Sequence, residues 1–420
     1  MIKRLVNAFF IFMPAVTYSF DWGASVSSGL NYTSNAFLEE SATTSELQRD
    51  AQFAVDIEHQ TKRASIGGNY RLNRKYYPES FGDDTTLQGN ADASIAILPR
   101  NLVWNANHIR VDSVRNFDEN DTPANRAVRQ TFQTGPSLSF RLTPVDELSS
   151  SVSRSWKTIE FEPERDSETD LILLSFNHQF SRLLAGTISL SKSEVSFEEA
   201  EGYEQDFQSL SLRRKIKDGG LSLVIGNNEI QQAAFKSSSP LLNASIFLKR
   251  YNSDVNVTYS RKLTHSSTEV LLDDTIISGL PFFGVIQITD IVENESLRVN
   301  ISKPIADATT IGVGYFFDST ISQRTNVSSD RRGWMASANY ERPLSATTTL
   351  GLRYDTRYVD SGISGEENSS FYHNFVARYD LLLTDKLNVD SRVGFSTRSG
   401  SADSDFDNTF ASIRMVYQVR

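Results

Sequence analysis

LRVNISKPIADATTIGVGYFFDSTISQRTNVSSDRRGWMASANYERPLSATTTLGLRYDTRY, residues 297–358, holds one unit twice: two half-apolar strands, a tight turn between them, and a polar stretch before the next pair. Leu297, Val299 and Ile301 alternate with Arg298, Asn300 and Ser302. After Lys303-Pro304-Ile305-Ala306-Asp307, the odd positions Ile311, Val313, Tyr315 and Phe317 resume the pattern against Thr310, Gly312, Gly314 and Asp318. The second unit repeats it, with Trp334, Ala336, Ala338 and Tyr340, then Leu350, Leu352, Tyr354 and Tyr358. Successive side chains on a strand point to opposite faces, so a period of two means a sheet with one apolar and one wet side. A soluble sandwich turns the apolar side inward and a membrane barrel turns it outward. The alternation alone does not choose between them.

The start of the chain and its composition decide. Met1-Ile2-Lys3-Arg4 is a short basic head, Leu5 to Val16 is mostly apolar, and Thr17-Tyr18-Ser19 offers small residues. That is the layout of a secretory signal peptide over residues 1–19, with an apolar region too short to span a bilayer. Residues 20–420 then form a single domain, for no linker divides them. The absence of Cys excludes disulfides and thiolate metal sites. With 52 acidic against 42 basic residues the net charge is -10, which argues against a nucleic-acid partner. No later apolar run reaches the length of a membrane helix, so a membrane position has to be held by strands, and 26 Phe and 15 Tyr suit aromatic girdles at the bilayer edges.

Working outward, the same period runs from Trp22 to the last residues. Ala51, Phe53, Val55 and Ile57 alternate with Gln52, Asp56 and Glu58, and Lys217-Asp218-Gly219-Gly220 is the best short-turn signal. Tyr76–Thr86, Glu160–Asp170, the acidic run Glu198–Glu204 and Thr397–Asp407 read as loops. The apolar phase slips between Trp104 and Ile109, predicting a bulge. Beyond Asn227 the pattern is less regular, and Arg261–His265 reads as a turn into a strand near Thr268–Ile277.

The phrases YSRKLTHSST, NISKPIADATT, NYERPLSATTT, RYDLLLTDKLN and, more loosely, SFRLTPVDELS and HQFSRLLAGTI recur, joining period-two strands. This is an internal repeat of hairpins. Short turns alternate with longer polar connections, so the short ones share one rim and the long ones the other, as in transmembrane barrels. A propeller places four shorter strands in each repeat, and a β-solenoid needs shorter repeats. The expected fold is therefore all-β: a transmembrane antiparallel up-and-down barrel of about 20 strands, or 18 without the hairpin near Gln231–Arg250, with short periplasmic turns and longer extracellular loops. A barrel of this size leaves an aqueous lumen.

The wet positions of the second half give the candidate pore lining: Arg298, Asn300, Asn339, Glu341, Arg353, Asp355, Arg357, Asn374, Arg378, Asp380, Asn388, Asp390, Arg392 and Arg414. Both signs occur, so a purely anion- or cation-selective pore does not follow from the list. Ile276 to Ile286 is apolar on the long-loop rim, and Leu280, Pro281, Phe282 and Phe283 are the candidate constriction. His59, His108, His178, His265 and His373 form no recognisable nucleophile or general-base group, so neither catalysis nor a cofactor is expected.

The phrases VNVTYSRKLTHSSTEVLL, DIVENESLRVNISKPIADATTIGVGYFFDSTIS and WMASANYERPLSATTTLGLRYDTRYVDSG resemble the porin-like outer-membrane β-barrel proteins found with bacterial exopolysaccharide systems, including those associated with exosortase sorting. The resemblance implies a barrel surrounded by outer-membrane lipids, serving export of a hydrophilic polymer with periplasmic polysaccharide-export proteins as partners. It transfers no catalytic residue. A general diffusion porin for small solutes is the alternative, and an outer-membrane hydrolase comes last.

Overall fold

The computed structural model describes residues 21–38, 44–114, 122–198, 200–265, 291–363, 366–400 and 405–419. They form a closed barrel of 20 strands: β1 Asp21–Thr33, β2 Glu46–Gln60, β3 Ala64–Tyr77, β4 Gly82–Leu98, β5 Leu102–Val114, β6 Arg126–Arg141, β7 Asp146–Ile159, β8 Ser167–Gln179, β9 Leu184–Phe197, β10 Tyr203–Ile216, β11 Gly219–Gln232, β12 Phe235–Arg250, β13 Ser253–His265, β14 Ile291–Ala306, β15 Thr309–Ser322, β16 Ser328–Ser345, β17 Thr348–Ile363, β18 Glu366–Thr384, β19 Leu387–Ser399 and β20 Phe406–Gln418. Each strand pairs antiparallel with its neighbours in sequence, and β20 pairs with β1 from Thr33 opposite Phe410 to Ser25 opposite Gln418. Closure leaves no free edge. In hydrocarbon each unpaired N–H or C=O costs several kcal/mol, so a spanning sheet has to close.

The alternation settles which face is which. On β1, Trp22, Val26, Leu30 and Tyr32 are exposed while Ser27 and Thr33, in the opposite phase, are buried, the reverse of a soluble sheet. Phe53 and Ile57 on β2, Ile188 and Leu190 on β9 and Ile413, Met415 and Tyr417 on β20 continue the exposed apolar belt. A tilted strand crosses hydrocarbon in about 9–11 residues. These strands run from 13 to 19, so each crosses with residues to spare. Outward aromatics mark both borders of the belt. Trp22, Trp104, Phe140 and Tyr417 lie near the short-turn rim, while Trp156 stacks on Phe132 and Phe371 lies against Tyr358 toward the other.

Strands extend further than the apolar pattern suggests. β4 begins at Gly82, β8 at Ser167, β10 at Tyr203 and β20 at Phe406, inside stretches that read as loops. Beyond the belt the outer face turns polar without ending the ladder, because opposite charges pair across strands: Lys192 with Glu204 at 2.6 Å, Lys236 with Glu229 at 2.6 Å and Arg154 with Glu168 at 3.0 Å. The region beyond Asn227 is a regular hairpin of β11 and β12, which makes the count twenty.

Two expectations need correction. β13 runs unbroken through Arg261 to His265, and the short turn lies earlier, at Tyr251-Asn252, where both residues have positive φ. Without a Gly that turn carries little signal in the sequence. Nor does β5 bulge: its register with β6 is continuous from Leu102 to Val114. The phase slip reflects polar side chains on the outer face that find partners there, His108 with the Tyr70 hydroxyl and Arg110 with the Leu87 carbonyl at 2.9 Å. The expected strand near Thr268–Ile277 and the expected signal peptide lie outside the described residues.

Candidate functional site

Two arcs of the inner face differ in chemistry. From β14 to β20 it is charged. Every residue of the candidate pore lining falls on this face, because each sits out of phase with the exposed apolar positions of its own strand. Their arrangement follows from register: Asn339 lies opposite Arg353, Glu341 opposite Gly351, Gly351 opposite Arg378, Asn374 opposite Asp355, Arg378 opposite Arg392 and Asp380 opposite Asp390. Like charges set directly opposite each other destabilise a sheet. Here the carboxylates neutralise them, Asp390 accepting from the Nε of both Arg378 and Arg392 at 2.7 Å.

In each of these pairs the cation stands forward of its partner. Arg353 donates its Nε to Asp355 at 2.6 Å, and the side chains are 57% and 24% exposed. Arg378 is 50% exposed against 21% for Asp380 and 10% for Asp390, and Arg392 is 47% exposed. The carboxylates lie on the wall and bind the inner edge of each guanidinium. Nη2 of Arg392 also donates to Asp390 at 3.2 Å, and on this wall of mixed sign the more exposed groups are the cations.

The ladder continues at the seam that closes the barrel. Arg414 on β20 reaches Asp50 on β2 at 2.8 Å, passing over β1 at Gly29, the residue opposite both. A Cβ at Gly29 would come within 2.6 Å of the Asp50 carboxylate, so the bridge needs the glycine. Higher up, Arg298 forms a two-point pair with Asp318, and Arg331 lies over the buried ring of Phe316 at 5.2 Å. Phe316 escapes sequence reading because it is an aromatic in the wet phase; its opposite residue, Gly333, is what makes room. Asn300 faces Gly314, Arg357 is half-buried opposite Tyr372, and Asn388 lies next to the turn before β19.

From β7 to β12 the same face is rich in hydroxyls, Ser149, Ser151, Ser153 and Ser155, then Ser189, Ser191 and Ser193, Ser209 and Ser211, with Glu147 on β7 and Arg213 and Lys215 on β10 in the same phase nearer the short-turn rim. Neighbours satisfy one another across strands, Ser149 with Ser175 at 3.1 Å and Gln133 donating to Ser153 at 3.1 Å. The alternation Ser-x-Ser-x-Ser is legible in the sequence, but weaker to the eye than charges.

The mouth is narrowed by strands that leave the wall. Above Leu242 and Arg261, β12 and β13 part: β12 continues on β11 to Phe235, while β13 continues on β14 to His265 and comes into contact with β11. The base of the β13–β14 hairpin therefore leans inward over β12. Leu263 and His265, in phase with the outward Val257 and Tyr259, are fully buried here, because that face now packs on the inner wall. Leu263 and Ile291 join Val195, Tyr203 and Ile230, with Phe197 and Phe235 beside them, and His265 stacks on Tyr203 at 4.4 Å between ring centroids. Burying each of the two aliphatic side chains contributes about 1.5–3 kcal/mol. Asn228 donates to the Leu263 carbonyl, Ser239 to Glu293 at 2.6 Å, and Arg324 to Gln232 at 3.0 Å.

A second departure mirrors the first. β4 and β5 part above Gly89 and Arg110, and Asp112 and Arg126, paired at 3.0 Å, share a cavity of about 110 Å³ with the inner-face residues Lys75, Tyr77 and Asp84. His265 is thus the end of a buried strand rather than part of a turn. Leu280, Pro281, Phe282 and Phe283 lie outside the described residues, in the connection between the two inward-leaning ends of β13 and β14.

No protein-family model matches the chain, and no curated protein matches it in sequence. Solved structures do match. The FrpB iron transporter from Neisseria meningitidis (F3-3 variant) is 11% identical, with a TM-score of 0.50 over 95% of this chain and 81% of that one. OccK5 (OpdH) from Pseudomonas aeruginosa is 12% identical, with a TM-score of 0.44 over 95% of this chain and 99% of that one. The chain is a barrel of the bacterial outer membrane. At these identities the likeness is one of fold, and the apolar belt agrees with it.

Proposed function

We propose that the protein is a hydrophilic pore through which small polar solutes cross the outer membrane, entering or leaving past a mouth narrowed by the β13–β14 hairpin. The observation that carries this reading is the inner face of a 20-stranded wall, charged from β14 to β20 and rich in hydroxyls from β7 to β12. Barrels of about 16–18 strands already enclose water. In this reading the candidate lining residues form the polar track, and Leu280, Pro281, Phe282 and Phe283 complete the constriction. The protein acts as a channel without catalysis or a cofactor.

A second reading is favoured by the turn phrases quoted above: a conduit assisting export of a hydrophilic exopolysaccharide, working with periplasmic export proteins. Single-channel recording in planar bilayers tests the first. Stepwise conductance with ready permeation of neutral sugars supports the solute pore, and absence of any conductance overturns it. Loss of surface polysaccharide on gene deletion, restored by the wild-type chain, supports the second; unchanged polysaccharide rejects it.

A further inference from the structure

We infer that the inner wall of β16 to β19 holds a binding site for a hydroxylated carboxylate, chemically a sugar acid, an assignment that rests on the pore reading and specifies what the pore selects. The site is a cavity of about 280 Å³ whose lining includes Asn339, Glu341, Arg353, Asn374, Arg378 and Arg392. That is close to the lower end of the range of ligand pockets, about 300 Å³, and accommodates a single sugar ring. Gly351 forms its floor. It lies between Glu341 and Arg378 across the ladder and has no side chain to fill the space.

The donors are directed by the ion pairs behind them. Arg353, Arg378 and Arg392 each commit Nε to a carboxylate on the wall. The Nη groups of Arg353 and Arg378, and Nη1 of Arg392, whose Nη2 also donates to Asp390 at 3.2 Å, remain to grip an anion, the charge-assisted, planar recognition that a guanidinium gives a carboxylate. The acceptors are equally placed. Glu341 and the Asp380 carboxylate line the same cavity, as do the amides of Asn339 and Asn374. Acidic acceptors beside cationic donors favour a ligand that brings one negative charge and several hydroxyl hydrogens. They oppose a compact dianion such as phosphate, which brings two charges and few hydroxyls. A neutral sugar leaves the three guanidinium ends without a partner.

The test uses the full-length mature barrel in planar bilayers and in detergent. D-glucuronate, D-glucose and inorganic phosphate are added at equal ionic strength to a KCl current, and binding of the same probes is measured by titration calorimetry on the solubilised protein. The expected result is block and heat of binding with glucuronate, at least about tenfold stronger than with phosphate or glucose. The triple variant R353Q/R378Q/R392Q is expected to lose both, and Gly351→Leu, which fills the floor while leaving every charge, to lose them too. A Cβ at Gly351 meets nothing nearer than 3.6 Å, so the second variant keeps the fold if the first does not. Equal response to glucose, or glucuronate binding undiminished in Gly351→Leu, overturns the site. Calorimetric binding without conductance would instead reject the pore while keeping the site. Oligogalacturonate against the monomer then separates the sources of the ligand. Tighter binding of the oligomer points to a polymer in transit, and equal binding to free sugar acids.

Discussion

Two arcs of the inner wall solve the same problem differently. From β14 to β20 the chain meets water with ion pairs, and from β7 to β12 with serines. The serine hydroxyls carry no charge of their own, and the cations in their phase on β10, Arg213 and Lys215, lie nearer the short-turn rim. The arginines, held from behind by Asp355, Asp380 and Asp390, hold a field that points across the lumen. The arcs also differ at the mouth. The hydroxyl-rich arc ends above in the apolar patch of Val195, Tyr203 and Ile230, on which the β13–β14 hairpin sits. A charged wall would reject Leu263 there, since burying it against guanidinium groups would strip their water without return. The charged arc is thus left open to the lumen while the hydroxyl-rich arc carries the inward-leaning hairpin.

Substitutions break this contrast in order of expected effect. Gly226→Val on β11 is expected to abolish the folded barrel, because a Cβ would sit 1.9 Å from the Gln208 carbonyl oxygen, whereas Gly351→Ala on β17 is expected to be tolerated. Heat-modifiable migration on gels distinguishes them, the first cost being about 4 kcal/mol or more. Next comes Asp390→Asn, which leaves Arg378 and Arg392 facing each other without their shared carboxylate. A loss of about 1–3 kcal/mol is expected in urea unfolding. Leu263→Asp is expected to release the hairpin from its seat and raise single-channel conductance while leaving the barrel folded; unchanged conductance would mean that the hairpin does not limit the mouth. Smallest is Ser151→Ala with Ser191→Ala, expected to change stability by no more than about 0.5 kcal/mol and reversal potential not at all. A large shift in selectivity there would refute the division between an arginine-lined arc and a serine-rich one.

Much of the wall is legible in the order of residues. The period of two in Leu297–Ile301 and Trp334–Tyr340 marks inner and outer faces, since a pleated strand cannot do otherwise. Polar strand beyond the belt is not legible. Glu204, paired with Lys192, reads as loop because its partner is remote in the chain until the sheet forms. The turn at Tyr251-Asn252 is hidden for a different reason. Its left-handed backbone is imposed by the strands on either side rather than invited by glycine.

By itself the chain determined that it is built of strands, with a wet face and an apolar face alternating along most of them, and which charges of β14 to β20 share the wet one. Only the tertiary structure decided that arginines stand forward of their aspartates, that Arg414 meets Asp50 across Gly29, and that β13 leaves β12 to bury Leu263. Alternation is a local property of the backbone. Which side chain lies in front, and where a strand departs from the wall, depend on neighbours that come together only when the cylinder closes.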